Sequence, residues 1–365
     1  MVELSIVVPT FNERENVPEL VRLLDLALAG LVWEVVFVDD HSPDGTADVA
    51  RDLARRDARV RCLHRYGRRG LASACVEGIL STSAPYIAVM DADLQHDETR
   101  LPAMLAMLKA DDLDLVVGSR YAAAGGHGLL GGTRLAGSRA ATRLANFLLK
   151  TALSDPMSGF FLLKRETLHM VLPNLSAIGF KILLDIVASA KRPLRVAEMP
   201  IQFRARQAGE SKLDSMVVWE FLMLLADKLF GRWIPPRFLV FSAIGSLGVL
   251  IHMATMTLLF KGFDAVFAGA QATATLVAMT ANFLLNNQLT YRDRRLRGWR
   301  LVSGWLSFAV ICGVGAAANV GISSYIYQNQ GVGWLPAAFA GVMISAVWNY
   351  GVSSLYTWNV RPRSA

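Results

Sequence analysis

The sequence has few cysteines and little charge for its size. Its 365 residues include three cysteines, and 18% of them are charged against 53% hydrophobic, with a mean hydropathy of +0.36. Cys62, Cys75 and Cys312 show no metal-ligand spacing, which argues against a zinc site and indicates small, reduced hydrophobic residues. A chain this apolar does not have the composition of an ordinary soluble protein of two domains.

Glycine-rich phosphate loops are absent as well. No Gly-x-Gly-x-x-Gly motif opens the first predicted helix, and no Walker-type loop occurs. The net charge is +7, but no basic surface interleaved with aromatic residues can be recognised, so nucleic acid is not predicted as a partner. A ligand that carries a phosphate would therefore need a different binding group, and a metal ion bound by carboxylates can supply it.

Lysine, arginine, aspartate and glutamate are missing from four long stretches in the C-terminal part. Each reaches or exceeds the roughly 20 residues needed to cross the bilayer core, and four in series are not typical of buried helices in a soluble protein. We therefore predict an all-α membrane domain at 237–360, with four transmembrane helices. The stretches are Phe238–Phe260, Ala265–Tyr291, Leu301–Gln328 and Gly331–Val360.

Basic residues lie unevenly around these spans. Arginines and lysines precede the first span, follow the fourth, and form the loop between the second and third, whereas the other two loops carry almost no charge. By the positive-inside rule, both termini and the N-terminal domain are predicted to be cytoplasmic in a protein of the plasma membrane. The net positive charge then suits an anionic lipid surface.

The membrane half repeats itself after 67 residues, which predicts a duplicated two-helix unit. Buried amides in such a unit either bond between helices or line a path for lipid headgroups, and we favour the first role. The shift pairs Phe241 with Phe308, Gly248 with Gly315, His252 with Asn319, Asn282 with Asn349, Phe283 with Tyr350, and Thr290 with Thr357.

A linking segment at 214–236 separates the membrane half from residues 1–213. It is apolar almost all round from Met216 to Leu229, and Gly231, Pro235 and Pro236 close it. We interpret it as an amphipathic helix lying along the cytoplasmic leaflet. The alternative is a helix that belongs to the core of the N-terminal domain.

Residues 1–213 alternate predicted strands and helices, which indicates an α/β domain with an open, mostly parallel sheet. Polar residues follow the strands where each one ends. Because ligands bind outside the carboxyl ends of such strands, we expect Glu13, Asp40, Asp91 and Asp93 to share one edge of the sheet.

The most informative stretch runs from Tyr86 to Gln95, where an apolar strand ends in two carboxylates and an amide. Asp91 and Asp93 are spaced so that they can converge on one point, and oxygen ligands of this kind suit Mg²⁺ or Mn²⁺ shared with a phosphate. The alternative is that Asp93 merely caps a following helix from Leu94 to Lys109.

Several motifs of residues 3–213 resemble family 2 glycosyltransferases with the nucleotide-sugar (GT-A) fold, and among them the dolichyl (polyprenyl) phosphate mannosyltransferases. The membrane half resembles the GtrA-type four-helix domain. The motifs are Val8-Pro9-Thr10-Phe11-Asn12-Glu13, Val38-Asp39-Asp40-x-Ser42-x-Asp44-Gly45-Thr46, Asp91-Ala92-Asp93-x-Gln95, Gly118-Ser-Arg120-Tyr121, Asp155-Pro-Met-Ser-Gly159-Phe160, Gly179-Phe-Lys181 and Arg206-x-x-Gly209-Glu-Ser211-Lys212.

The resemblance implies a role for each matching residue, with Asp91, Asp93 and Arg120 as the catalytic group. The family usually has tyrosine where Phe11 stands, so a hydroxyl contact is missing here. By this resemblance, the nucleoside pocket comprises Pro9, Phe11, Glu13, Val38 and Asp40, and the metal ligands are Asp91, Asp93 and Gln95, with Ala92 nearby. The phosphates of the sugar nucleotide would contact Lys181, Arg206 and Lys212. The phosphate of the acceptor would contact Arg120, Arg134 and Ser138.

The resemblance implies the transfer of a hexose to polyprenyl phosphate, with GDP-mannose as the favoured donor. It also implies inversion at the anomeric carbon and a need for Mg²⁺ or Mn²⁺. The acceptor phosphate is already anionic, so no catalytic histidine is expected, and His64, His96 and His127 are interpreted as structural or loop residues. A UDP-glucose-dependent glucosyltransferase and a flippase or scaffold stay open as alternatives. A processive polysaccharide synthase is disfavoured because its Gln-x-x-Arg-Trp motif is absent.

Overall fold

The structure is a computed structural model of the chain. It describes residues 1–67, 70–122, 146, 149, 151–176, 179, 181–202, 204, 223–228, 231, 234–329 and 333–359. These residues fall into two compact units, Met1–Leu229 and Phe230–Ala365.

The first unit is built on a seven-stranded sheet with the strand order β3-β2-β1-β4-β6-β5-β7. Strand β6 runs antiparallel to both of its neighbours and the remaining pairs are parallel, so the predicted open and mostly parallel sheet is confirmed. The strands are β1 Leu4–Thr10, β2 Trp33–Asp39, β3 Val60–His64, β4 Tyr86–Val89, β5 Leu115–Ser119, β6 Phe161–Lys164 and β7 Val196–Pro200.

Helices cover both faces of this sheet. Alternate residues of β1 point to opposite faces, so Ile6 and Val8 join one apolar cluster with α1, α2 and α4, whereas Val7 joins a second one with α3, α5 and α6. Burial on both faces explains why the central strands are apolar throughout. The helices are α1 Asn16–Ala27, α2 Thr46–Arg56, α3 Leu71–Leu80, α4 Leu101–Ala110, α5 Arg165–Val171 and α6 Ile182–Ser189.

The chain does not enter a helix directly after Asp93, so the alternative of an Asp93-capped helix from Leu94 is wrong. A 3₁₀ turn at Glu98–Arg100 comes first, and α4 follows it. Asp97 caps that turn, with its Oδ1 accepting a hydrogen bond from the backbone N–H of Thr99 at 3.3 Å. Asp93 therefore lies in the loop between β4 and this turn.

Residues 223–228 of the predicted linking helix are helical and pack on the first unit. Leu224 and Leu225 are buried in a small cluster with Leu184 of α6. Lys228 forms an ion pair with the fully buried Asp185 at 2.6 Å. The rest of the predicted helix lies outside the described residues, but this described end belongs to the core of the first unit.

The described part of the second unit contains four helices that are long and apolar enough to cross a membrane, as predicted. Large apolar side chains such as Leu250, Val310 and Phe339 are exposed on them, which suits contact with lipid. A π-helical turn follows the first helix at Leu258–Gly262 and the fourth at Ser353–Thr357. The helices are α7 Pro236–Thr257, α8 Phe267–Gln288, α9 Trp299–Asn329 and α10 Trp334–Val352.

The predicted repeat is visible in how these helices pack. A Cβ atom on Gly248 of α7 would overlap the side chain of Asn282 on α8, and a Cβ on Gly315 of α9 would overlap Asn349 on α10. Glycine is therefore required at both positions so that each amide can lie against the neighbouring helix. The two pairs are equivalent in the repeat, which supports the packing role of these amides.

Aromatic rings join the two halves in a pattern that the repeat maps onto itself. Tyr291 and its equivalent Trp358 stack with centroids 4.1 Å apart. The contact of Phe283 with Phe308 at 5.8 Å has its counterpart in the contact of Tyr350 with Phe241 at 5.7 Å. The two helical hairpins are thus related by a pseudo-twofold arrangement around an aromatic core.

Candidate active site

One edge of the sheet combines polar side chains with an unusual backbone. Strands β1, β2 and β4 are adjacent and parallel, so the loops after them meet at their carboxyl ends. Each of these loops has one non-glycine residue with positive φ, namely Asn12 at 59°, His41 at 56° and Leu94 at 60°. Such conformations cost on the order of 1 kcal/mol each and concentrate at functional sites, which marks this edge as the candidate active site.

Asp91 lies at the centre of this edge. Its Oδ2 accepts a hydrogen bond from Nε2 of His96 at 3.2 Å, and the His96 ring stacks on Phe160 with centroids 5.3 Å apart. A Cβ atom on Gly159 would lie 2.5 Å from Oδ2 of Asp91. Gly159 is therefore needed so that the carboxylate can approach the backbone, while His96 fixes the direction of that carboxylate.

The surroundings of Asp91 keep it charged. Burial by itself would raise its pKa, but the hydrogen bond from His96 and the charges of His96, Lys181 and Arg120 outweigh burial and hold the pKa of Asp91 below its usual value. With 37% of its side chain exposed, the carboxylate remains accessible. An ionised, reachable carboxylate is what binding a divalent cation requires.

Asp93 and Gln95 form the turn that follows. Oδ1 of Asp93 accepts a hydrogen bond from the backbone N–H of Gln95 at 3.3 Å. Nε2 of Gln95 donates to the carbonyl of Arg204 at 3.1 Å, and the N–H of Arg204 donates back to the carbonyl of Gln95 at 2.9 Å. The Arg204 guanidinium bonds to Glu98 at 2.8 Å. This turn thereby holds the start of the segment that leads to the predicted phosphate ligands.

The donor set at this turn fits a magnesium or manganese ion. Within the described residues, no group of three or more histidine, cysteine, aspartate or glutamate side chains could hold a metal. Asp91 and Asp93 are thus a pair of carboxylates rather than a complete cage. Mg²⁺ usually binds through one or two carboxylates while substrate phosphates and water fill its other positions, so a pair is the expected number.

Positive charge faces this pair from a second loop. Arg120, just after β5, donates from Nε and Nη2 to the two carboxylate oxygens of the buried Asp155, at 2.7 and 2.9 Å. This two-point contact fixes the plane of the guanidinium. The predicted role of Arg120 toward a phosphate therefore depends on Asp155, which sequence reasoning noted only as part of a motif.

Lys181 stands immediately before α6. Burial and the nearby charge of Arg120 lower its pKa, and the charges of Asp91 and Asp155 oppose that effect. These four groups therefore act on one another electrostatically, although they come from four separate stretches of chain. The structure thus brings the predicted phosphate-binding Lys181 and Arg120 together with the predicted metal ligand Asp91.

The predicted nucleoside residues lie near the carboxyl ends of β1 and β2 and in the loops that follow. Oδ1 of Asp40 accepts a hydrogen bond from buried Arg65 at 2.8 Å, and its Oδ2 accepts one from the N–H of Gly70 at 2.7 Å; burial raises the pKa of Asp40 despite both contacts. Glu13 accepts a hydrogen bond from Asn16 at 2.6 Å. Arg65, which sequence reasoning missed, therefore helps to shape this pocket.

The remaining described members of the predicted set differ in exposure. Pro9 and Phe11 are partly exposed, whereas Ala92 is buried. Val38 is fully buried in the core against the position of Gly78, so its side chain does not face a ligand, and a nucleoside could meet only its backbone. Four predicted residues lie outside the described residues: Arg134, Ser138, Arg206 and Lys212.

His96 is interpreted from the sequence as a structural or loop residue, and the structure adds its direct contact with Asp91. Its position five residues after Asp91, in a loop that turns back at Leu94, is the only local signal for the contact with Asp91. Gly159 and Asp155 carried a weaker signal, because they stand in a motif but far from Asp91 and Arg120 in the chain.

Comparisons with known proteins agree with the α/β domain and with the membrane helices. Residues 5–172 match the model of Glycosyl transferase family 2, and residues 240–358 match that of the GtrA/DPMS transmembrane domain. A dolichol-phosphate mannosyltransferase from Pyrococcus furiosus is 32% identical over 358 residues, 98% of this chain and 99% of that protein. Another, from Mycosarcoma maydis, is 36% identical over 61% of this chain and 78% of that protein.

A crystal structure of glucosyl-3-phosphoglycerate synthase from Mycobacterium tuberculosis, in complex with Mn²⁺, UDP and phosphoglyceric acid, aligns with a TM-score of 0.45 at 18% identity, over 62% of this chain and 78% of that one. The four apolar helices and the matched membrane domain make this chain an integral membrane protein. The chain belongs to the dolichol-phosphate mannosyltransferase family, with a family 2 glycosyltransferase domain followed by a GtrA/DPMS transmembrane domain.

Proposed function

We propose that this protein transfers mannose from GDP-mannose to a polyprenyl (dolichyl-type) phosphate, with inversion at the anomeric carbon. The observation that carries the proposal is the cluster in which Asp91, held by His96 against Gly159, faces Lys181 and the Arg120–Asp155 pair. Carboxylates for a metal beside fixed cations suit the breaking of a sugar–diphosphate bond, because negative charge grows on the departing diphosphate.

The donor side of the site would bind the nucleotide sugar. Asp91, Asp93 and Gln95 would hold Mg²⁺ or Mn²⁺, which supplies electrostatic stabilisation of the diphosphate. Lys181 adds a positive charge close to Asp91, and its partly buried position strengthens its effect on a bound phosphate. Arg206 and Lys212 are proposed as further phosphate ligands. Glu13 and Asp40 would accept hydrogen bonds from the nucleoside.

The acceptor side would use Arg120, with Arg134 and Ser138. Asp155 holds the Arg120 guanidinium in a fixed plane, and a planar fork that stays charged suits a phosphate monoester. A polyprenyl phosphate is already anionic at neutral pH and can attack without a general base. Direct attack on an α-linked donor from the opposite side gives a β-linked product.

The orientation of the chain is part of the proposal. The transferase domain (1–213), the linking segment (214–236) and the membrane domain (237–360) would place the active site on the cytoplasmic side of the plasma membrane, since the Arg-rich loop at Arg292–Arg300 marks that side. A cytoplasmic site would have direct access to a soluble sugar nucleotide.

A transfer assay tests the donor and the acceptor together. The full chain in detergent would be incubated with Mg²⁺ or Mn²⁺, short-chain polyprenyl phosphate, and radiolabelled GDP-mannose or UDP-glucose in parallel. We expect label from GDP-mannose in the lipid phase and a β-anomer by NMR. Label from UDP-glucose alone would make the protein a glucosyltransferase. No transfer from either donor would overturn the proposal in favour of a flippase or scaffold.

A further inference from the structure

A polar groove of about 440 Å³ lies at one end of the membrane unit. One wall is the start of α9, and the other is the end of the π-helical turn after α10 with the chain that follows it. We call it the Arg300 groove. Its principal lining residues are Leu296, Arg300, Ser303, Ser307, Thr357 and Asn359.

The polar lining follows the period of the helix. Arg300, Ser303 and Ser307 lie three and four residues apart on α9, so they share one face of the helix. Polar side chains in a membrane span are costly unless they find polar partners. Ser307 does so with Thr357, whose hydroxyl lies 3.0 Å away across the groove.

The walls of the groove are held by a buried amide. Asn287 is buried, and its Nδ2 donates to the carbonyl of Leu296 at 3.1 Å. Its Oδ1 accepts from the N–H of Leu296 at 2.8 Å and from the indole N–H of Trp358 at 3.1 Å. One side chain thus ties the loop before α9 to the C-terminal wall, so the groove has a defined shape.

The groove breaks the internal repeat. Residues that pack the two halves match across the 67-residue shift, as with Gly248 and Gly315. The same shift puts Ser303 opposite Pro236 and Ser307 opposite Val240, so the first half lacks both hydroxyls. The equivalent hairpin packs without them, so the packing that the two halves share does not require these hydroxyls.

We propose that the Arg300 groove binds the phosphate of a lipid headgroup. An arginine beside hydroxyls and an amide offers several donors to phosphate oxygens, and none of the described residues that line the groove is acidic. The position at the end of the spans, next to the loop with Arg292, Arg294, Arg295 and Arg297, matches the depth of lipid phosphates. This site lies wholly within the second unit and does not depend on the proposed donor sugar.

Lipid binding to the full chain in detergent tests this proposal by native mass spectrometry. The probes are phosphatidylglycerol, a polyprenyl phosphate, and phosphatidylcholine as a zwitterionic reference. We expect one bound phosphatidylglycerol or polyprenyl phosphate to be retained over phosphatidylcholine. Excess inorganic phosphate should not displace it if the acyl or prenyl chain contributes, and displacement together with binding of phosphate alone would overturn a lipid site.

Variants locate the binding. Arg300→Gln should weaken retention about tenfold, as expected for losing one charge-assisted contact. Ser303→Leu should block the groove sterically, and because Ser303 is exposed it tests the site without disturbing the core. Arg297→Gln, in the same loop but outside the lining, is the matched control and should bind as before. Equal losses for Arg297→Gln and Arg300→Gln, or no loss for Arg300→Gln and Ser303→Leu, would overturn the assignment.

Discussion

Buried polar side chains in the first unit include many charged groups, whereas those in the described part of the second unit are all neutral. The first unit buries Asp40, Arg65, Asp155 and Asp185, and each has an oppositely charged partner. The second unit buries the amides and hydroxyls of Asn286, Asn287, Thr290, Ser353 and Thr357.

The difference follows from the solvent around each unit. Water can reach the edge of the first unit, so a charged side chain is stable there when it is paired and hydrogen-bonded. The bilayer core has no water to solvate polar groups on the membrane helices. Burying a neutral amide or hydroxyl there therefore costs less free energy than burying a charged group. The candidate active site brings several charged side chains close together. The membrane unit instead has amides and glycines where its helices contact one another.

Asp91→Asn should have the largest effect, because it removes the charge on which the proposed metal site rests. We expect transfer to fall by about 10³-fold or more, in line with the loss of electrostatic stabilisation in other active sites. The radiolabel assay measures it. Asp111→Asn, a carboxylate on the surface after α4, is the control and should transfer at the normal rate. Normal transfer by Asp91→Asn would show that the metal assignment is wrong.

Lys228→Met tests how much a buried ion pair contributes to the stability of the first unit. Lys228 pairs with the fully buried Asp185 and also donates to Ser189 at 2.8 Å, so the variant leaves a buried charge without its cation. We expect the first unit to lose about 3–5 kcal/mol of stability. Hydrogen exchange in α6 measures the loss, because that helix carries Asp185.

A second pair of variants sharpens the same comparison. The double variant Asp185→Leu/Lys228→Met replaces both charges by apolar groups and should recover most of the stability. Asn287→Leu, in the membrane unit, loses neutral hydrogen bonds only and should cost about 1–3 kcal/mol. A larger loss for Asn287→Leu than for Lys228→Met would contradict the contrast between the two units.

Gly248→Val and Gly315→Val test whether the two membrane hairpins are equivalent. Each valine would overlap an asparagine on the neighbouring helix, so both should destabilise the unit by about 2 kcal/mol. Gly245 and Gly313, on the same two helices, have no atom within 4 Å of an added Cβ, and their valine variants are matched controls. Thermal unfolding in detergent compares the four; similar values for all would show that the glycine contacts do not matter.

Asp114 gives an effect of about the same size as the glycine variants, seen only as a dependence of stability on pH. Burial opposes its ionisation, but hydrogen bonds from Arg192 and Arg195 hold its pKa at about 2, against ~3.9 in an unfolded chain. Because the folded pKa is the lower one, its contribution is fully present above pH ~4 and is lost as pH falls from about 4 to 2. Between about pH 4 and pH 2, the free energy of unfolding of Asp114→Asn should therefore change by about 2 kcal/mol less than that of the unsubstituted protein.

Much of the fold was predictable because its signals are local. The four spans follow from stretches without charge, and the sheet follows from apolar strands that end in Glu13, Asp40 and Asp91. The membrane repeat is also readable, since Gly248 and Asn282 recur as Gly315 and Asn349. The roles of Arg134, Ser138, Arg206 and Lys212 stay predictions, because they lie outside the described residues.

The chemistry of the edge could be predicted only in part. The spacing of Asp91 and Asp93 pointed to a metal, but the partners that keep Asp91 charged and in place did not show in that spacing. His96 contacts it through a turn at Leu94, and Gly159 approaches it from a distant loop. The side chain of Val38, a residue of a matching motif, is buried in the core, so its place in the nucleoside pocket stays a prediction that rests on its backbone.

By itself, the sequence determined the two-part architecture, the strand edge that carries the carboxylates, and the family motifs, because polarity and periodicity act over neighbouring residues. Only the tertiary structure decided that Asp155 fixes Arg120 and that Asn287 ties Leu296 to Trp358 around the Arg300 groove. These contacts join residues far apart in the chain, and they depend on which elements pack together, so no local pattern contains them.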